Sequence, residues 1–156
     1  MGIALSLEQY LDDRGVPYDV TTHEHTLSSS ATAHACSIPE DNLAKGVLMR
    51  RNDGYLLAIV PASCHVQIEA FSNWLQQPIE LATETEASMI FGDCELGSVP
   101  PVAGAYGLTA VMDDSFEGSD DIYFEGGDHC TLVHVTGQNF HCLMADIPHA
   151  HISARN

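Results

Sequence analysis

The plainest hydrophobic pattern in the chain is a pair of runs, Lys45 to Arg51 and Tyr55 to Pro61, flanking Asn52-Asp53-Gly54. That arrangement predicts a β-hairpin. Upstream, Ser6 to Gly15 has amphipathic helical spacing, with Ser6 as N-cap, Gln9 at N3 and Gly15 as stop. Pro17 to His23 reads as a strand. The small, polar stretch Ser28 to Ser37 reads as a helix ended by Pro39. Downstream, Val66 to Leu75 places Ile68, Phe71, Trp74 and Leu75 on one helical face, and Thr83-Glu-Thr-Glu86 is a capping box for a helix stopping near Gly92. Leu108 to Asp113, Asp121 to Glu125 and Thr131 to Val135 read as strands, Gly137 to Met144 as a short helix, and the tail as loop or a last strand. Interleaved helices and strands with a strong hairpin signal predict an α/β (α+β-like) fold, a mixed sheet with helices packed around it.

One position breaks this pattern. Lys45 is the only lysine, set with four arginines against 22 acids. On a regular strand it shares a face with Leu43, Val47 and Met49. An ammonium on an apolar face is costly unless an anion or a wet cavity meets it. The segment alone is equally consistent with a positive charge serving a pocket and with a solvent-facing lysine guarding a strand edge.

Composition narrows the function classes. The length of 156 residues fits one domain, 1–156, with a real core, and 45% hydrophobic content is ordinary for a globular chain. Five scattered cysteines without a CxxC pair fit a reducing compartment. The N-terminus lacks signal-peptide character, and no run reaches membrane-span length, so a cytoplasmic protein without a membrane partner is expected. A net charge of −17 disfavours a broad phosphate-binding surface, DNA binding included. Any anionic ligand would have to be met at one small site.

Two loops carry candidate chemistry. Gly92 to Gly107 is rich in glycine and proline without periodicity, and inside it Gly97-Ser98-Val99-Pro100-Pro101 reads as a rigid turn with backbone N–H groups free for a carbonyl or oxyanion. The same letters could serve as a tight crossover. Glu125-Gly126-Gly127-Asp128-His129 reads either as a hairpin turn or as a second backbone cradle with His129 at its rim.

Lys45 on a hairpin strand, the GxxxP loop from Gly97 to Pro101, and the late Gly126-Gly127-Asp128-His129 turn occur in that order. In this the chain resembles the YbaK / prolyl-tRNA-synthetase-associated editing domain family, from about Tyr10 to Met144, including His23-Glu24-His25 and the Pro61-Ala62 hairpin end. The resemblance implies a mixed, curved sheet with surrounding helices. It implies a trans-editing hydrolase, an aminoacyl-tRNA deacylase removing a small amino acid such as Ala, Ser, Thr or Cys. It makes Lys45 the key site residue, holding the terminal adenosine, with His129 beside it in the catalytic set. Gly97, Ser98, Val99, Pro100 and Pro101 would shape the aminoacyl pocket, with Gly126, Gly127 and His25 also in contact with substrate. No cofactor is implied. The partner is the aminoacyl-tRNA acceptor end, delivered by a synthetase or another protein if the acidic surface cannot grip the tRNA body. The competing class is a non-catalytic regulatory module that binds an aminoacyl-nucleotide or other small ligand. His23/His25 and His149/His151 could each chelate, but no further ligands stand at a diagnostic spacing, so no metal is expected. Cys130 beside His129 is a nucleophile only in principle.

Overall fold

The structure is a computed structural model that describes residues 2–95 and 97–156; Met1, and Leu96 within the predicted loop, lie outside the described residues. The elements in chain order are helix α1 (Leu5–Asp13), strand β1 (Asp19–Thr22), α2 (Ser29–Ala35), β2 (Ala44–Arg51), β3 (Gly54–Pro61), β4 (Cys64–Val66), α3 (Ile68–Leu75), β5 (Ile79–Leu81) and α4 (Glu84–Ile90). They continue with β6 (Thr109–Asp113), β7 (Asp121–Glu125), β8 (Thr131–Thr136), α5 (Gly137–Leu143), β9 (His149–Ala150) and β10 (Ser153–Arg155). Short 3₁₀ turns occupy Glu40–Asn42, Ala103–Tyr106 and Asp114–Phe116.

The central sheet has the order β5-β2-β3-β6-β9, with the hairpin β2/β3 antiparallel and β6 and β9 added in parallel. A second sheet runs β1-β8-β7, all antiparallel, and β10 pairs with β4. β3 reads as an unbroken apolar run because it is buried on both faces. Leu57 and Ile59 face a core with Leu7 and Leu11 of α1, Phe91, Phe124 and Phe140. Leu56, Ala58 and Val60 face a second core around Phe71 of α3. A third cluster, Leu43, Ala33, Ala62 and Leu132, seats α2 on the second sheet.

The capping box at Thr83 forms as expected, with Glu86 N–H donating to Thr83 Oγ1 and Thr83 N–H to Glu86 Oε1. Ser28 caps α2 by accepting the Ala31 amide. Three local expectations need correction. Helix α1 starts before Ser6, whose N–H donates instead to Asp93 Oδ2 at 2.9 Å, so a distant carboxylate supplies the cap. Val66 is not helical; it pairs with Ser153 as the end of β4. Of the expected α3 face only Phe71 is fully buried, while Ile68 and Trp74 stay 39% and 46% exposed.

Candidate functional site

The two sheets meet at a single parallel bridge, Leu43 with Tyr123. β5 pairs with Met49 to Arg51 of β2 and the Ala82 amide donates to the Leu48 carbonyl, so among the described residues the edge from Ala44 to Val47 has no ladder partner on that side. β2 and β7 therefore leave the bridge in the same direction but in different sheets. Side chains two residues past a parallel bridge return to the same face. Lys45 on β2 and Glu125 on β7 occupy those equivalent positions.

Lys45 lies opposite Val60, on the face that carries Val47 and Met49, as its spacing suggests. It is half-buried, and among the described residues its ammonium has no hydrogen bond and no ion pair. Burial pulls its pKa below the ordinary lysine value; the charges of Cys64 and Glu40 oppose that shift without cancelling it.

The loop comes in from the other face of β2. A Cβ on Gly46 would stand 3.2 Å from the Pro100 carbonyl oxygen, so the loop backbone lies directly against the residue after Lys45. Gly97 takes φ +80°, a left-handed conformation that suits glycine, and a Cβ there would lie 3.4 Å from His129 Cε1. Ser98, fully buried, accepts the His129 amide at 3.2 Å, while its own N–H donates to the Glu95 carbonyl. That donor is therefore committed within the protein rather than free for a ligand. Pro100 and Pro101 are buried, and Val99 packs against the main core.

The late glycine turn supplies the opposite wall. His129 is not at a rim: it is 4% exposed and held at φ +60°. Its ring centroid lies 5.2 Å from that of His25, which is exposed and sits 3.7 Å from Glu95 Oε1. Gly126 and Gly127 face the N-terminal segment instead of an open cradle. A Cβ on Gly126 would stand 2.7 Å from Ile3 Cγ2, and one on Gly127 would stand 3.1 Å from Ala4 Cβ. Their carbonyls accept the Ala4 and Glu95 amides, so the two glycines fasten the turn and the loop together.

Sequence reasoning missed the residue at the throat of this turn, Glu125. Its carboxylate is buried against His23 at 3.7 Å and accepts the Thr32 hydroxyl at 2.5 Å. Glu125 alternates with Asp121 and Tyr123 against Ile122 and Phe124, as in an ordinary half-buried strand, so the sequence carried no signal for its burial.

Other chemistry is not assembled here. Burial, then the nearby carboxylates, raise the Cys130 pKa and keep the thiol protonated, which disfavours it as a nucleophile. His23 and His25 turn to different partners, Glu125 and Glu95. Asp113, Asp114 and His151 bring ligand-type atoms within 4.8 Å of one another, but the Asp113 oxygens already accept the Ser115 and Ile152 amides. A cavity of about 500 Å³ lined by Tyr10, Trp74, Val102 and Met144, among others, contains none of the candidate residues. Size alone does not locate the chemistry. Among the described residues no helix is long and apolar enough to cross a membrane.

Residues 23–141 match the family model for the aminoacyl-tRNA editing domain. A search of curated protein sequences found no match. Among solved structures, a "hypothetical protein APE2540" superposes with a TM-score of 0.84 at 20% identity, covering 96% of this chain and 99% of that one. A "putative trans-editing enzyme for prolyl tRNA synthetase" superposes with a TM-score of 0.83 at 20% identity, covering 96% and 95%. A "Putative signal transduction protein" from Marinobacter aquaeolei VT8 gives 0.77 at 17% identity, covering 96% of this chain but 30% of that one. Identities this low establish the shared mixed α/β fold.

Proposed function

The chain belongs to the aminoacyl-tRNA editing domain family, the YbaK family, and we propose that it is a trans-editing hydrolase that deacylates tRNA carrying a small amino acid. The observation that carries this reading is Lys45, a half-buried ammonium with no counter-ion among the described residues, next in the chain to Gly46, against which the loop backbone is pressed; the same loop carries Gly97 to His129.

In the proposed reaction a water adds to the carbonyl carbon of the ester. The bond to the ribose oxygen breaks, that oxygen takes up a proton, and free amino acid and tRNA leave. An aminoacyl ester is activated, so positioning does much of the work: water is the nucleophile, and the adjacent ribose hydroxyl can take up its proton and pass one to the leaving oxygen. Lys45 holds a phosphate or hydroxyl of the terminal adenosine as a point charge. His129 orients a water or a ribose hydroxyl. The Gly97 to Pro101 backbone limits the acyl pocket, favouring Ala, Ser, Thr or Cys with the modest discrimination a pocket wall provides.

The protein's arginines support recognition confined to the acceptor end. Arg50 pairs with Glu80 and Glu86, Arg51 with Asp53 and Arg155 with Asp41, while Arg14 lies over the Tyr10 ring. Three of the four are paired with carboxylates, and Arg14 alone is too little for a basic stripe, so a synthetase or another partner would deliver the substrate. The same net charge of −17 favours the second reading, a non-catalytic module sensing an aminoacyl-nucleotide. A deacylation panel across charged tRNAs separates them. Turnover of at least one small aminoacyl-tRNA is expected, and its absence across the panel would overturn the enzyme assignment.

A further inference from the structure

The cavity of about 500 Å³ plays no part in the reaction above. β9 joins β6 only at Met112 and Asp113, so among the described residues the outer edge of β6 from Thr109 to Val111 has no ladder partner. The hollow lies along that edge, with walls from α3 and from the segment joining α5 to β9. Its volume falls in the roughly 300–1,000 Å³ range of small-molecule sites. It is separate from Lys45. That residue pairs with Val60, whereas the cavity touches β3 at Leu56, about 13 Å away along the strand at roughly 3.3 Å per residue.

Two features of the lining point to a ligand. The first is uncovered apolar surface. Leu56 and Val111 form a buried floor, but Trp74 is 46% exposed and Leu75, Leu108 and Ile147 are only half-buried. The second is charge. Arg14 and Arg51, two of the chain's five basic residues, line the cavity, against Asp146 alone of its 22 acids. Among the described residues neither arginine pairs with Asp146. Arg51 Nε lies 3.4 Å from Asp53 Oδ1 without a hydrogen bond, and the Asp53 side chain is 76% exposed. Arg14 stacks over Tyr10, whose ring also lines the cavity. An exposed ion pair such as Arg51–Asp53 contributes little, so the Arg51 guanidinium keeps donors for a ligand. Register puts Arg51 on the same face of the sheet as the floor. It stands opposite Gly54, two residues before Leu56, and Ala58, two residues after Leu56, stands opposite Val111. A cation therefore sits at the end of an apolar surface. Two guanidiniums less one carboxylate leave a single positive charge, which matches a monoanion.

We propose that this cavity binds a medium-chain monocarboxylate, its carboxylate on Arg51 and its chain across Leu56 and Val111 and against Trp74. The proposal is independent of the editing reading, because none of the residues given a role there lines the cavity. Burying the chain supplies affinity, about 10-fold for every two added methylenes while they fit. A carboxylate also meets the planar fork of arginine in a two-point contact, which selects an anion over an alcohol or an amine.

Trp74 is the only tryptophan, so its fluorescence reports entry into the cavity directly. Hexanoate, octanoate, octanol and octylamine are titrated into the protein, each below the concentration at which it aggregates. Octanoate should change the Trp74 emission saturably and bind tighter than each of the others by about 10-fold or more. Arg51→Gln should bring octanoate level with octanol, and Arg14→Gln should weaken it less. Equal binding of octanoate, octanol and octylamine would reduce the cavity to a non-selective apolar surface and overturn the proposal. So would the lack of any saturable response, or an anion preference that survives both arginine substitutions. A dimer in solution with Trp74 shielded and unresponsive would assign the hollow to a second copy of the chain and overturn it as well. If Arg51→Gln fails to fold, the wild-type ranking of octanoate, octanol and octylamine still decides. The readout is binding, so a failed deacylation panel would leave this proposal standing.

Discussion

The two ends of β2 treat a positive charge in opposite ways. Arg50, near the end of the strand, is exposed and held by two carboxylates, Glu80 from β5 and Glu86 from α4. Its pKa is raised, first by the Glu80 hydrogen bond and then by the surrounding acids. Lys45, five residues earlier, is half-buried, has no carboxylate in contact, and has its pKa lowered by burial. In a chain with 22 acids an unpaired cation is not for want of partners. The fold satisfies the arginine with its own groups and leaves the lysine for something else.

The largest effect expected from breaking this contrast is on catalysis. Lys45→Ala should reduce single-turnover deacylation by on the order of 10²-fold or more, the scale of misplacing the ester once the terminal adenosine is no longer held. Its melting temperature should stay level or rise, because a desolvated charge has been removed. Arg50→Ala should leave turnover intact. Equal kinetic effects of the two variants would erase the distinction.

His129→Ala comes next, with a fall in turnover of about 10²-fold, typical of general acid–base or orienting help. An unchanged rate would make His129 a turn residue that happens to be buried. Gly97→Ala should act on both function and stability. The positive φ makes any side chain costly there, about 1 kcal/mol, and the new methyl touches the His129 ring. We expect a shift in preferred amino acid along with a modest loss of melting temperature; a stability loss with selectivity unchanged would mark the loop as purely structural.

The pH dependence sharpens the same point. The folded Lys45 releases its proton below the ordinary lysine pKa of 10.5. Between the two pKa values the unfolded chain binds more protons, so this group makes stability rise with pH in that window. Affinity for a non-hydrolysable aminoacyl-adenosine should fall in the same window. Parallel curves for Lys45→Arg, which stays charged, would show that another group controls binding. The smallest effect expected is that of salt. With its arginines occupied, the protein should bind aminoacyl-tRNA with a log–log salt slope of about one to three phosphates, roughly 0.7 to 0.9 each. An aminoacylated acceptor stem should then serve nearly as well as full-length tRNA, and a steep slope would reveal a basic face not visible in these ion pairs.

Much of this architecture was legible in the chain because it is written in local signals. The Asn52-Asp53-Gly54 turn, the Thr83/Glu86 box and the left-handed Gly15 after α1 depend on neighbours within a few residues. Lys45 was legible because the strand period assigns its face. The unread features are long-range. Asp93 reaches the start of α1 from 87 residues away, and β5 is three residues long and exists by pairing with β2. The burial of Glu125 rests on a bridge between strands 80 residues apart and on Thr32 from α2, neither of which leaves a periodic trace. Gly126 and Gly127 looked like a ligand cradle because a close backbone approach to Ile3 and Ala4 demands the same residue type.

Because Lys45 is the only lysine, labelling lysine side chains with ¹³C and ¹⁵N gives one side-chain signal and reads the central claim directly. The titration midpoint of that signal should lie below the ordinary lysine value, and the signal should move when amide-linked alanyl-adenosine is added. A midpoint at the ordinary value, with no response to the compound, would contradict a half-buried ammonium reserved for substrate.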